Sequence, residues 1–243
     1  RMAGRLIKLP DWVKDDYQTH WVRDDFDDYL TGNLWTATAT GAGAAVARSD
    51  AANGVITLTT STTANNSAMI EMGSETWLIA ANKPIMFQAI LQFTEIGTDD
   101  AGVFVGFANA PGAVTLQDTT LELATSLSAF GFYKKDGTTN WICFNSIGTT
   151  QKKTELTAAN SLTKLAVTAG GAAYQRLTAE LVYQPGSGGV FDVSFWVDEN
   201  PVAKHKDQAI GAPTEMSFAF IGKTPTTTSL VVKPDYVFCA QTR

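Results

Sequence analysis

Residues 176–183, RLTAELVY, put Leu177, Ala179, Leu181 and Tyr183 on one side of an extended chain and Arg176, Thr178 and Glu180 on the other. A period of two is what a strand with one buried face requires, whereas an α-helix would scatter these residues around its circumference. PIMFQAILQFTEI (84–96) obeys the same rule: Ile85, Phe87, Ala89, Leu91 and Phe93 oppose Gln88, Gln92 and Thr94. VFDVSFWV (190–197) sends Phe191, Val193, Phe195 and Val197 inward, leaving Asp192, Ser194 and Trp196 on the other face. Shorter apolar runs recur at 53–60, 101–108, 128–133, 140–145, 216–222 and 236–240. QPGSGG is a turn by composition, and Asp136-Gly137 is a hairpin signal. Past residue 30 no long segment has apolar residues spaced by three and four. Short strands joined by Gly- and Pro-bearing turns predict an all-β chain, a two-sheet antiparallel β-sandwich with helix below about a tenth.

Composition narrows the function classes. With 243 residues, 44% hydrophobic and 17% charged, the chain can bury a large core and is not of the disordered type. Its 32 threonines favour strands. A net charge of -6 argues against a nucleic-acid partner, which needs a basic face. No run of 18 apolar residues is present to span a membrane as a helix. RMAGRLIKLPDW lacks the apolar core of a signal peptide. No repeat or linker divides the strand-rich part, so residues 26–243 are expected to form one domain behind an N-terminal arm, residues 1–25. Cys143 and Cys239 lie in separate apolar runs and are expected to be buried, reduced and unpaired.

Candidate chemistry is sparse. FDVSFWVDENPVAKHK (191–206) gathers Asp198, Glu199 and His205. Neighbouring carboxylates on an extended chain point to opposite faces, so DENP is read as a hairpin turn at which Pro201 ends the ladder. In the returning strand Lys204 and Lys206 share one face, and Ala203 and His205 the other. GAGAAV (41–46) lacks the third glycine and the following helix of a dinucleotide loop. His20 and His205 have no His or Cys partner at zinc spacing. The acidic pairs Asp15-Asp16, Asp24-Asp25 with Asp27-Asp28, and Asp99-Asp100 do not repeat a calcium loop. There is no G-x-S-x-G elbow. No catalytic residue, cofactor or metal ligand is assigned.

The order of these pieces resembles the concanavalin A-like jelly-roll family. DDFDDYLTGNLW (24–35) looks like its opening strand, NGVITLTT like the early hairpin and PIMFQAILQF like the long central strand. AGVFVGFA resembles the strand facing the concave side, FDVSFWVDENPVA the late hairpin, and LVVKPDYVFCAQ the closing strand. The resemblance implies a jelly roll over roughly residues 24–242. Its members include lectins, glucanases, alginate lyases and lectin-like virion proteins of tailed phages. The glucanase triplet E-x-D-x-x-E is absent here, and the lyase Tyr, His and Arg set has no matching motif, so no enzyme activity is expected.

Two binding functions remain. The first is a virion structural protein of a tailed phage, a capsid decoration or cement protein. It would be assembled in the host cytoplasm, bound to the major capsid protein or another virion protein, and a homo-oligomer, dimer or trimer. The arm carries that expectation: Arg5 and Lys8 make its start cationic, and Trp12, Val13, Tyr17 and Trp21 approximate a helical stripe after Pro10. The second is a carbohydrate-binding, lectin-like module or host adhesin that stacks aromatics on sugar rings. Trp35, Trp77, Trp141 and Trp196 are available, and on strands each is expected to be a core or half-buried residue. Trp196 shares the face of Asp192 and Ser194 and is the candidate stacking residue.

Overall fold

A computed structural model describes residues 9–14, 19–27, 34–50, 54–73, 77–95, 100–113, 115–118, 120–146, 151–184, 189–209 and 214–243. The alternating runs form two eight-stranded sheets. The first runs β14 (Asn200–Ala209), β13 (Val190–Val197), β12 (Gln175–Tyr183), β7 (Ile85–Glu95), β16 (Leu230–Thr242), β4 (Val55–Thr59) and β3 (Ala45–Asp50). Beside the C-terminal half of β16 lies β1 (Thr19–Asp24). The second runs β11 (Lys152–Glu155), β10 (Ile142–Asn145), β9 (Ala129–Lys134), β8 (Gly102–Ala108), β15 (Thr214–Lys223), β5 (Ser67–Met72) and β2 (Trp35–Thr40). Strand β6 (Trp77–Ile79) pairs with the start of β15. Every strand pairing is antiparallel. GAGAAV runs through the crossover from β2 in the second sheet into β3 in the first, where Gly41 and Gly43 have φ of 96° and 86°.

The inward residues of the two sheets make one core. Ile85, Phe87, Ala89, Leu91 and Phe93 from β7 meet Leu177, Ala179 and Leu181 from β12 and Val103, Val105 and Phe107 from β8. Phe87 is the hub, with ring centroids 5.1 Å from Phe218, 5.9 Å from Phe107 and 6.2 Å from Phe130. Each large side chain so buried contributes about 1.5–3 kcal/mol, so the alternation seen in sequence is itself the main stabilising term. Trp35, Trp77 and Trp141 are core residues, and both cysteines are buried and unpaired. Between β8 and β9, Gly106 faces Gly131. A Cβ on either would come within 2.3 Å of a carbonyl oxygen on the opposite strand, and both have φ near +150° (154° and 150°), so only glycine fits this close approach.

Over β8, β9, β10 and β15 the outer face of the second sheet is covered. Its outward residues Phe104, Ala129, Tyr133, Phe144, Ala219 and Ile221 are covered by Leu116, Leu121, Leu123 and Leu127 from the β8–β9 connection. Two ionic ties hold this plug. The buried Lys223 ammonium donates to the carbonyls of Ala113 (2.7 Å) and Leu116 (2.7 Å) and to the Asp118 carboxylate (2.6 Å). Glu122 accepts from Lys135 (2.6 Å), Lys153 (2.8 Å) and the Tyr133 hydroxyl (2.9 Å). Burial pushes the Glu122 carboxyl up, but those three bonds outweigh it and hold its pKa at about 2. Strand β8 (GVFVGFA in sequence) is therefore buried on both faces.

The N-terminal part also departs from its sequence reading. Pro10 does precede a helical turn, but it is a single 3-10 turn, Asp11–Lys14, and by Thr19 the chain is a strand paired along β16. Residues 19–24 thus belong to the sandwich rather than to an arm. The β-branched and aromatic residues Thr19, Trp21 and Val22 suit a pleated edge, and β16 offers them unpaired backbone groups. Trp12 and Trp21 do not share a helix face. Arg5, Lys8 and Tyr17, as well as half of DDFDDYLTGNLW (residues 28–33), lie outside the described residues.

Candidate functional site

With the centre of the second sheet covered, the outer face of the first sheet holds the candidate site. Strand order turns the alternating residues of five strands into two rows. One runs Arg23, Phe238, Gln88, Thr178, Trp196 across β1, β16, β7, β12 and β13. The next runs Trp21, Ala240, Met86, Glu180, Ser194, and ends on Lys204 of β14. Within this face the Leu9–Lys14 segment sits on Met86, Phe238 and Ala240, with Val13 buried at 5% exposure. The face reaches solvent at Trp21, 51% exposed at the β1 edge, and at the half-buried Trp196 on β13.

Trp196 is half-buried and directly opposite Thr178, so the sequence placement of its ring off the core side holds. Thr178 is only 2% exposed, and its hydroxyl has no hydrogen-bond partner among the described residues. Gln88, next in the row, is 3% exposed. A buried hydroxyl left without a partner costs about 1–3 kcal/mol, which a ligand or water bonded to it recovers. Polar groups at the floor of a face, beside an aromatic ring, are the parts of a small-molecule site.

The carboxylates around this floor have opposed environments. Burial raises the Glu180 pKa, only partly offset by the Trp12 indole N–H, which donates to Oε1 at 3.0 Å, and by the Lys204 charge. Burial also acts on Asp192, but bonds from Lys204 (2.8 Å), Gln184 (2.8 Å) and the Asp207 backbone N–H (3.1 Å) hold it below the usual carboxylate range. The two residues flank one register position, diagonal neighbours roughly 7–8 Å apart. Carboxyls pushed apart in pKa are the pattern of an acid–base pair. Here, however, Asp192 is engaged through both oxygens by structural donors, and Glu180 lies under Trp12.

The acidic hairpin is resolved as a turn. Asp198 and Glu199 both have positive φ, 48° and 70°, as a two-residue hairpin loop of matching twist requires. Both serve Arg176: its backbone N–H donates to Asp198 Oδ1 at 2.9 Å, and its guanidinium pairs with Glu199. The ladder does not end at Pro201, because β14 starts at Asn200 and Pro201 pairs with Trp196. The missing N–H is tolerated since β14 is an edge strand.

His205 points inward, as the alternation predicts, and is 1% exposed. It joins the open edges of the two sheets: Nδ1 meets Asn145 Oδ1 on β10, and Nε2 lies 3.0 Å from Thr154 Oγ1 on β11. Asn145 gives its Nδ2 to Gln208 at 3.3 Å, so its oxygen accepts from Nδ1–H and the Thr154 hydroxyl donates to Nε2. Burial, with the nearby Lys152 charge, lowers the His205 pKa to about 4. No group of three or more His, Cys, Asp or Glu side chains among the described residues is arranged to hold a metal ion.

The fold is a concanavalin A-like jelly-roll sandwich, shared with lectins and glucanases. Solved structures similar to this chain include the carbohydrate recognition domain of Emp47p, at TM-score 0.58 and 10% identity, covering 93% of this chain and 97% of that one. The endo-1,3-beta-glucanase of Streptomyces sioyaensis matches at TM-score 0.56 and 14% identity, with 92% and 96% covered. Peanut lectin matches at 0.52 and 11%, with 92% and 97% covered. No family model matches the sequence. No curated protein matches it either.

Proposed function

We propose that this protein is a non-enzymatic carbohydrate-binding domain of the lectin type, and that its ligand lies on the outer face of the first sheet around Trp196. The observation that carries this reading is the half-buried Trp196 ring, which stands off the core on the outer face with Ser194 and Lys204 in the adjoining row. A sugar offers the ring an apolar C–H face and offers its hydroxyls to polar neighbours. Ser194 and Lys204, one row away, can take further hydroxyls. The absence of catalysis is part of the proposal: Asp192, Asp198 and Glu199 are each held by a structural donor, so no hydrolysis of β-glucans and no elimination on alginate or carrageenan is expected. Capsid decoration drew its sequence support from a free apolar arm. Trp12 and Val13 are spent on this chain's own sheet, which favours the glycan reading.

The test is a glycan array probed with the wild-type chain and Trp196→Ala. Capture of at least one glycan by the wild type, lost in the variant at unchanged melting temperature, is expected. No capture at all, or capture indifferent to Trp196, overturns the assignment.

A further inference from the structure

The segment over the site is itself shaped like a ligand. Trp12 lays an aromatic ring on the outer face of the first sheet and donates its N–H to Glu180 at 3.0 Å, in the row adjoining Trp196. A pyranose brings the same combination, a flat apolar face edged with hydroxyl donors. We propose that Trp12 occupies one ring-sized subsite of this face as a built-in competitor, and that the Leu9–Lys14 segment thereby regulates access to the site. The inference rests on the carbohydrate reading above.

The segment's anchorage suits a competitor rather than a permanent wall. It is one 3-10 turn of four residues. Val13 is its one fully buried apolar side chain among the described residues; Leu9 and Trp12 are only half-buried. Thr19 Oγ1 donates to the Trp12 carbonyl at 2.9 Å and ties its backbone to β1. Behind it the sheet does not need the segment to stay paired, since Met86 and Ala240 are bonded within β7 and β16. When the segment leaves, Glu180 joins Ser194 and Lys204 as a line of polar groups beside Trp196. A segment that occupies its subsite about nine-tenths of the time lowers apparent ligand affinity about tenfold, because only the open fraction binds.

The experiment uses the full chain as wild type, Trp12→Ala and Val13→Ser. Laminarihexaose, cellohexaose and mannohexaose are titrated calorimetrically, and the Glu180 carboxyl carbon is followed by NMR. The expected result is about tenfold tighter binding in Trp12→Ala, a smaller gain in Val13→Ser, and a Glu180 pKa that returns towards the ordinary carboxylate value. Wild-type binding left unchanged or weakened in both variants overturns the competitor while the carbohydrate site stands. Failure of all three proteins to bind any of the sugars overturns both. Should Trp12→Ala not fold, Val13→Ser decides by the same criterion.

Discussion

Acid should loosen this sandwich through one histidine before its carboxylates respond. His205 titrates at about 4 in the folded chain, against an ordinary 6.5, because burial between the sheet edges disfavours its charged form. The unfolded chain therefore takes up the proton first, and stability is lost as pH falls from 6.5 towards 4, while above 6.5 the contribution is complete. A difference of 2.5 pH units corresponds to about 3 kcal/mol, an upper bound, with a slope of up to about 1.4 kcal/mol per pH unit inside the window. Other groups act in the same range. Glu122, held at about 2, and Asp192, also lowered, take stability away at still lower pH, whereas Glu71, Glu180 and Asp235, all raised, act in the opposite sense. Comparison with His205→Gln cancels these contributions. Urea unfolding of both proteins at half-unit steps from pH 7.5 to 4.0 should show the wild-type advantage shrinking by about 2–3 kcal/mol across the window. An advantage that stays constant with pH would mean that the buried imidazole is not the acid-sensitive group, and the argument fails.

Further outcomes follow from other residues. Thr178→Val should raise stability by about 1 kcal/mol in urea unfolding, by removing a buried unpartnered hydroxyl; a loss of stability would mean that the hydroxyl has a structural partner. Gly131→Ala, which sets a methyl against the Val105 carbonyl, should cost more than about 2 kcal/mol or prevent folding. Cys143 and Cys239 should resist alkylation in the native state and each take one label after unfolding without reductant, read by intact mass; burial pushes both thiols well above their ordinary value.

Much of the sandwich was legible because burial on one face writes itself into a strand at every second residue. The inward sets of β7, β12 and β13 are those the alternation names, as is the inward placement of His205. The plug over the second sheet was not legible. Leu116, Leu121, Leu123 and Leu127 follow no single period, since they descend from an irregular loop onto a face that alternation alone marks as outward. The site was half legible. Alternation puts Gln88, Thr178, Glu180 and Trp196 off the core, yet nothing in their spacing says that β7, β12 and β13 lie side by side, which is what sets them in adjoining rows. Trp12 over Glu180 spans 168 positions, and no local rule reaches so far.

The Lys223 ammonium, gripped by two carbonyl oxygens and a carboxylate, amounts to a cation stitched to the backbone by four methylenes. A loop organised around a dissolved ion inherits that ion's equilibrium: it slackens when a chelator or dilution empties the site. Here the positive charge has an effective concentration set by the covalent chain, and no dialysis can remove it. The plug's shape should therefore be indifferent to the divalent content of the medium and should answer to mutation alone.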